Sequence, residues 1–145
     1  MYRHILLPTD GSELSARAVG EGLRLAQALG ARVTALHVTP PFYPEGENPS
    51  GIAAHVREHA QRSEASARRA LDYAARAARE AGVTCAVLRK ERENPWEEII
   101  WTAASESCDL IFMASHGRRG VAALVLGSET HKVLTHSKIP VLVMR

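Results

Sequence analysis

Short apolar runs alternate with longer segments of helical period along the whole of this 145-residue chain. Residues 4–9 read as a buried strand. Over 13–29, Leu14, Ala18, Leu25 and Leu29 fall on one helical face, and Gly30 suits the position just past a helix end. A second strand is predicted over 33–38. Residues 39–53 carry Pro40, Pro41, Pro44, Gly46, Pro49 and Gly51 and read as a loop. An Ala-rich helix follows over 55–81, with Glu58/Arg62, Glu64/Arg68 and Asp72/Arg76 at i,i+4 spacing, and Gly82 stops it. A third strand is predicted over 84–88. Asn94-Pro95-Trp96-Glu97 reads as a helix entrance, with Asn94 as cap and Pro95 first, and that helix runs to about residue 106. A fourth strand is predicted over 110–114. Ser128 is placed to cap a helix reaching about residue 136, and 140–144 is a fifth strand.

This order, β-α-β-α-β-α-β-α-β, predicts a single α/β domain: a five-stranded parallel sheet with helices on both faces, because right-handed crossovers place them there. The length suits one domain with one real core. In such sheets a ligand sits outside the carboxyl ends of the strands, where the strand order reverses. If strands one and four are neighbours, the loops that follow them share that crevice.

Both of those loops have unusual chemistry. The fourth strand runs into Met113-Ala-Ser-His-Gly-Arg-Arg-Gly120, and Gly127-Ser128 opens the next helix. Glycines let backbone N–H groups approach an anion, and the helix start adds unpaired donors and a positive dipole end. The first strand repeats the grammar with Ile5-Leu-Leu-Pro-Thr-Asp10-Gly11-Ser12. A carboxylate at a strand end, Asp10, can accept from ribose hydroxyls. Gly117 permits positive φ or a close phosphate approach. Ser128 can cap its helix or bind phosphate. Arg118 and Arg119 can add charge-assisted bonds to phosphate oxygens. Asp10-Gly11-Ser12 is equally readable as a turn and helix cap. Two matching loops favour the nucleotide reading.

At these residues the chain resembles the universal stress protein family, over essentially its whole length. The resemblance rests on Leu7-Pro-Thr-Asp-Gly-Ser12, His37-Val38, Ser115-His-Gly117, Gly127-Ser128 and Pro140-Val-Leu-Val143. The family's nucleotide-binding branch carries Gly, two residues, Gly, nine residues, Gly, then Ser or Thr. Here Gly117, Gly127 and Ser128 match, and Ala114 stands at the first Gly. The resemblance implies strand order 3-2-1-4-5, an adenine nucleotide alpha hydrolase-like sheet, and ATP across the loops after strands one and four. It places Pro8, Thr9, Asp10, Val38, Met113, Ala114, His116, Gly117, Arg118, Gly127, Ser128, Glu129 and Thr130 around the nucleotide. Asp10 meets the ribose or adenine end, and Thr9 and Val38 frame the base by backbone contact. Gly117, Gly127, Ser128 and Thr130 face the phosphates, with Mg²⁺ or Mn²⁺ held through them. It further implies a stress-response regulator with an unidentified protein partner, and a homodimer through strand 140–144. If the family's first Gly serves a positive φ, Ala114 costs about 1 kcal/mol or more. If it serves only close approach, one methyl is tolerable. A closed site would leave a dimeric interaction module that binds no nucleotide.

The remaining features narrow the field. With 18 basic and 16 acidic residues the net charge is +2, too balanced to point to nucleic acid or a membrane surface. No apolar run approaches the length of a membrane span, and the opening Met-Tyr-Arg-His enters a strand at once, so the expectation is a cytoplasmic protein without a signal peptide. Cys85 and Cys108 read as buried, reduced thiols. His55-Val-Arg-Glu-His59 fits the H-x-x-E-H zinc spelling but has no identifiable third ligand. His116 has no nucleophile elbow or ordered partner beside it, so no catalytic residue is assigned, and any ATP hydrolysis is expected to be slow. A Walker lysine motif and a G-x-G-x-x-G fingerprint are both absent. Trp96 and Trp101 read as helix–sheet packing. The apolar strand 140–144 would end the sheet, and an unpaired apolar edge invites association with a twin.

Overall fold

The computed structural model describes residues 1–46, 48–118 and 125–145. Its elements are β1 (His4–Pro8), α1 (Glu13–Leu29), β2 (Arg32–Thr39), α2 (Pro49–Ala81), β3 (Cys85–Glu91), α3 (Pro95–Ser105), β4 (Leu110–Ala114), α4 (Ser128–His136) and β5 (Val141–Met144). The strands form one sheet of order β3-β2-β1-β4-β5, parallel throughout. The family expectation of the order therefore holds, and β1 and β4 are neighbours.

Two apolar layers sandwich the sheet. On one side Ile5, Leu7, Val33, Ala35, Leu110 and Phe112 pack against α1 and α2 through Val19, Leu23, Ala26, Leu71 and Ala74. On the other, Leu6, Leu36, Ile111 and Met113 pack against α3 and α4 through Ile99, Ala103 and Val133. β1 and β4 are buried at every position because both faces are covered, which is why their sequences are continuous apolar runs.

Helix ends follow local chemistry, with three departures from expectation. Ser12 caps α1, its Oγ accepting from Ser15 N at 3.2 Å, and Gly30 closes the helix at φ 65°. α2 begins at Pro49, six residues before the expected start, because Asn48 Oδ1 accepts from Ser50 N at 3.1 Å and Pro49 takes the first turn. The loop shortens accordingly. Of the expected ion pairs on α2, Glu58–Arg62 and Glu64–Arg68 form, and Asp72 and Arg76 do not pair. Asn94 occupies the N-cap of α3 without accepting from its backbone; its amide instead donates to Glu97 Oε1 at 3.4 Å. Ser128 is the first helical residue of α4 rather than its cap, and Gly127 holds the cap position with no side-chain bond. β3 runs to Glu91, three residues past the expected end, because its ladder with β2 continues to Thr39. Cys108 is buried and Cys85 only half-buried, both free. Trp96 packs between the α3/α4 layer and His136, whereas Trp101 is exposed on the outer face of α3.

Candidate functional site

The carboxyl ends of β1 and β4 emerge side by side, and their loops are stitched together by one carboxylate. Asp10 Oδ1 accepts from Ser12 N at 2.9 Å and Oδ2 from Arg118 N at 2.8 Å. Gly11, at φ 79°, turns the first loop. Thr9 N donates to Leu36 O at 2.8 Å, and its hydroxyl pairs with Ser15 at 3.0 Å and accepts from Gly11 N. Pro8 and Thr9 are therefore fixed scaffolding beneath Asp10.

Gly117 and Gly127 in the second loop are needed for contact rather than for torsion. Neither Gly117 nor Gly127 has positive φ. A Cβ on Gly117 would collide with Asp10 Oδ2 and lie 3.2 Å from its Cγ. A Cβ on Gly127 would lie 3.0 Å from His116 Cα and 3.1 Å from Ser115 O, whose carbonyl accepts from Gly127 N at 2.7 Å. Ala114 ends β4 without positive φ, and it is buried in the α1/α2 layer. Its methyl thus meets no torsional penalty and belongs to the core. Met113, on the opposite layer, is equally core. His116 Nδ1 lies 3.2 Å from Ser115 Oγ.

The first turn of α4 divides its labour. With Gly127 at the N-cap and no side chain accepting there, the leading N–H groups at Ser128, Glu129 and Thr130 have no capping partner. The side chains look elsewhere. Thr130 is buried, and its hydroxyl donates to Ala114 O at 2.9 Å, tying α4 to the end of β4. Glu129 Oε2 accepts from Trp96 N at 2.8 Å and so caps α3 from outside. These two side chains hold the site in shape; only their backbone N–H groups are directed along the α4 axis.

Sequence reasoning named Arg118 for a phosphate, but its guanidinium reaches the other way. Nη2 donates to Ser66 Oγ of α2 at 3.1 Å, across Gly11. It also missed His37 as an individual site residue. His37 is 94% buried, with Nδ1 3.4 Å from Thr39 Oγ1. Its register partner on β3 is Arg89. Its signals were a histidine at the end of an apolar strand and the His37-Val38 pair in the family resemblance. Val38, the next residue, turns to the α3/α4 layer and is half-buried. Arg119 and Gly120 lie outside the described residues.

Charge balance follows from these contacts. For Asp10, burial raises the pKa, but hydrogen bonds from Ser12, Arg118 and Ser15 outweigh it and hold the carboxyl below its ordinary range. Burial pushes His37 below its ordinary value; Asp10 opposes this, and Arg89 and Arg118 reinforce it. The crevice floor therefore carries an anionic Asp10 beside a neutral His37 at pH 7. Such a floor accepts hydroxyl or amino hydrogens, while the α4 start donates to an anion. Among the described residues no cluster of three His, Cys, Asp or Glu side chains could hold a metal ion, His55 and His59 included.

Comparison with known proteins places the fold in a family. The sequence model of the universal stress protein family fits residues 1–145. The chain belongs to the universal stress protein family. Two curated universal stress proteins, one of Thermus aquaticus and YxiE of Bacillus subtilis, are each 32% identical to it, with 100% of both chains aligned. Among solved universal stress protein folds, MJ0577 of Methanocaldococcus jannaschii superposes with a TM-score of 0.77 at 28% identity, over 99% of this chain and 96% of that one. A universal stress protein in complex with cAMP superposes at 0.74 with 24% identity, over 99% and 97% of the two chains. One of Archaeoglobus fulgidus in complex with dAMP does so at 0.73 with 17% identity, over 99% and 98%. Among the described residues of this family member, no helix is long and apolar enough to cross a membrane.

Proposed function

We propose that this universal stress protein binds an adenine nucleotide, with ATP among its ligands, and acts as a dimeric cytoplasmic regulator in stress response. The observation that carries the reading is the Asp10–Arg118 hydrogen bond across Gly117. It brings a carboxylate acceptor and a glycine-lined, donor-rich loop to one point at the carboxyl ends of adjacent strands. Asp10 takes ribose hydroxyls with the lone pairs left over from its two backbone donors. Backbone at Thr9 and Val38 frames the base. The N–H groups of Gly117 and of residues 128–130 take the phosphates, favoured by the α4 dipole. The known complexes with cAMP and dAMP belong to other family members and support this ligand class by analogy of fold.

Mg²⁺ or Mn²⁺ fits this site only as a companion of the phosphates. The described residues offer no three-ligand cluster, so the ion would take phosphate oxygens and water, and it would neutralise phosphate charge there. His116 has Ser115 beside it, and among the described residues no carboxylate hydrogen-bonds its ring, which suits slow hydrolysis at most. Dimerisation is supported by β5, whose outer edge ends the sheet and whose Leu142 is 40% exposed.

A second reading, a dimeric interaction module without nucleotide, draws on the same contacts: Asp10, Glu129 and Thr130 already have protein partners. Calorimetry with ATP, ADP and AMP on nucleotide-stripped protein separates the two. Micromolar binding that disappears in Asp10→Ala and Gly127→Val supports the nucleotide site. An absence of heat with all three nucleotides rejects it in favour of the module.

A further inference from the structure

Arg118 is fastened at two points. Its backbone N donates to Asp10 Oδ2 at 2.8 Å, and its guanidinium Nη2 donates to Ser66 Oγ of α2 at 3.1 Å. Between the two fastenings the side chain crosses Gly11. A Cβ on Gly11 would lie 2.9 Å from Nη2 and 3.5 Å from Ala70 Cβ, so a larger residue would obstruct the crossing. One residue thus joins the β1 loop, the middle of α2 and the β4 loop. A backbone N–H on an exposed loop loses its partner easily when the loop is free to turn. Anchoring the same residue's side chain on a helix removes much of that freedom before any ligand arrives. Oδ1 of Asp10 is held separately, by Ser12 N at 2.9 Å.

We infer that Arg118 and Ser66 are positioning residues of the crevice: clasped together, they hold Asp10 in the orientation that receives the sugar, and Arg118 is not a phosphate ligand. The inference rests on the adenine-nucleotide reading above, in which Asp10 takes ribose hydroxyls. The clasp then acts on the nucleoside end alone. Its loss weakens adenosine, AMP and ATP by one common factor. A guanidinium that bound phosphate would instead matter more with each added phosphate and not at all for adenosine. Releasing such a guanidinium from Ser66 would also tighten ATP rather than weaken it.

The test is calorimetry with adenosine, AMP and ATP on wild type, Arg118→Ala, Ser66→Ala and Ser66→Thr, with Ser63→Ala as control. Ser63 lies one turn earlier on α2 and meets His59 Nε2 at 3.1 Å instead. Alanine is the better helix former, so lost affinity in Ser66→Ala would not come from a weaker α2. Thermal unfolding checks that each variant is folded. In ligand-free protein, carbon-13 NMR follows the Asp10 carboxyl: burial raises its pKa, and the hydrogen bonds that hold it low include the one from Arg118 N. Arg118→Ala and Ser66→Ala should each weaken all three ligands by the same factor, about threefold to tenfold. Both should also raise the Asp10 pKa. Ser66→Thr, which keeps the hydroxyl, and Ser63→Ala should match wild type in both measurements. If Arg118→Ala weakens ATP and spares adenosine, or Ser66→Ala leaves affinity and the Asp10 titration unchanged, the inference is overturned and the nucleotide reading stands. If none of the three ligands binds wild type, the nucleotide reading falls and takes the inference with it.

Discussion

Asp10 Oδ2 and the backbone N–H of Arg118, 108 residues apart in the chain, are joined by a 2.8 Å hydrogen bond. That bond exists because β1 and β4 are neighbours and because Gly117 has no side chain to keep the loops apart. It makes one carboxylate a partner of both loops, so substitutions on either side should act on both.

Gly117→Ala should separate the loops. Its methyl would displace Asp10 and leave the Arg118 N–H without its partner, at a cost of about 1–3 kcal/mol. Urea denaturation should show that loss, and adenylate affinity should fall at least about tenfold in the same variant. Retained stability and affinity would mean that the seam is dispensable.

Acid should weaken the fold in two windows. His4 and His37 both titrate below their ordinary 6.5, burial being the main cause in each. Their neutral forms suit the folded state, so this contribution is complete above pH 6.5 and is lost as pH falls through the lower folded values. Asp10 is depressed below its ordinary 3.8, so its contribution is complete above that value and is lost as pH falls through the folded one. Melting temperatures recorded from neutral to acid pH should fall less steeply below 6.5 in His37→Gln. The lower window should flatten in Asp10→Asn. Identical profiles in variant and wild type would remove those groups from the account.

Glu129→Ala should cost about 1 kcal/mol by uncapping α3. Adding Asn94→Asp should return most of it. The new carboxylate would be repelled by Glu97 and turned toward its own helix's N–H groups. A double variant no more stable than Glu129→Ala alone would show that the Trp96 N–H contact carries no capping energy.

Two glycines of α1 should respond in opposite directions. A Cβ on Gly20 would meet nothing within 4 Å, whereas on Gly22 it would lie 2.5 Å from Leu7 Cδ2 in the packed layer. Gly20→Ala should stabilise by about 0.5–1 kcal/mol through helix propensity alone. Gly22→Ala should destabilise, because overpacking of about 1–3 kcal/mol exceeds that gain. Equal shifts in denaturation midpoint would contradict the packing of α1 on β1.

The sequence by itself determined the elements and the ends that local chemistry governs. Apolar runs at 4–9 and 110–114 had to be strands covered on both faces, and Gly30 and Gly82 closed their helices in the left-handed conformation. Asp10, Gly117 and Gly127 were legible as a candidate site because loop glycines and a strand-end carboxylate advertise their chemistry locally. What tertiary structure alone decided were the choices among competing partners. Glu129 left its own helix to cap α3, Thr130 gave its hydroxyl to Ala114 O, and Arg118 crossed Gly11 to Ser66. His37 became a buried group only through tertiary packing. A side chain with several acceptors within reach takes the one that packing brings nearest, and that distance is set by strand order and helix placement, which no local pattern of residues encodes.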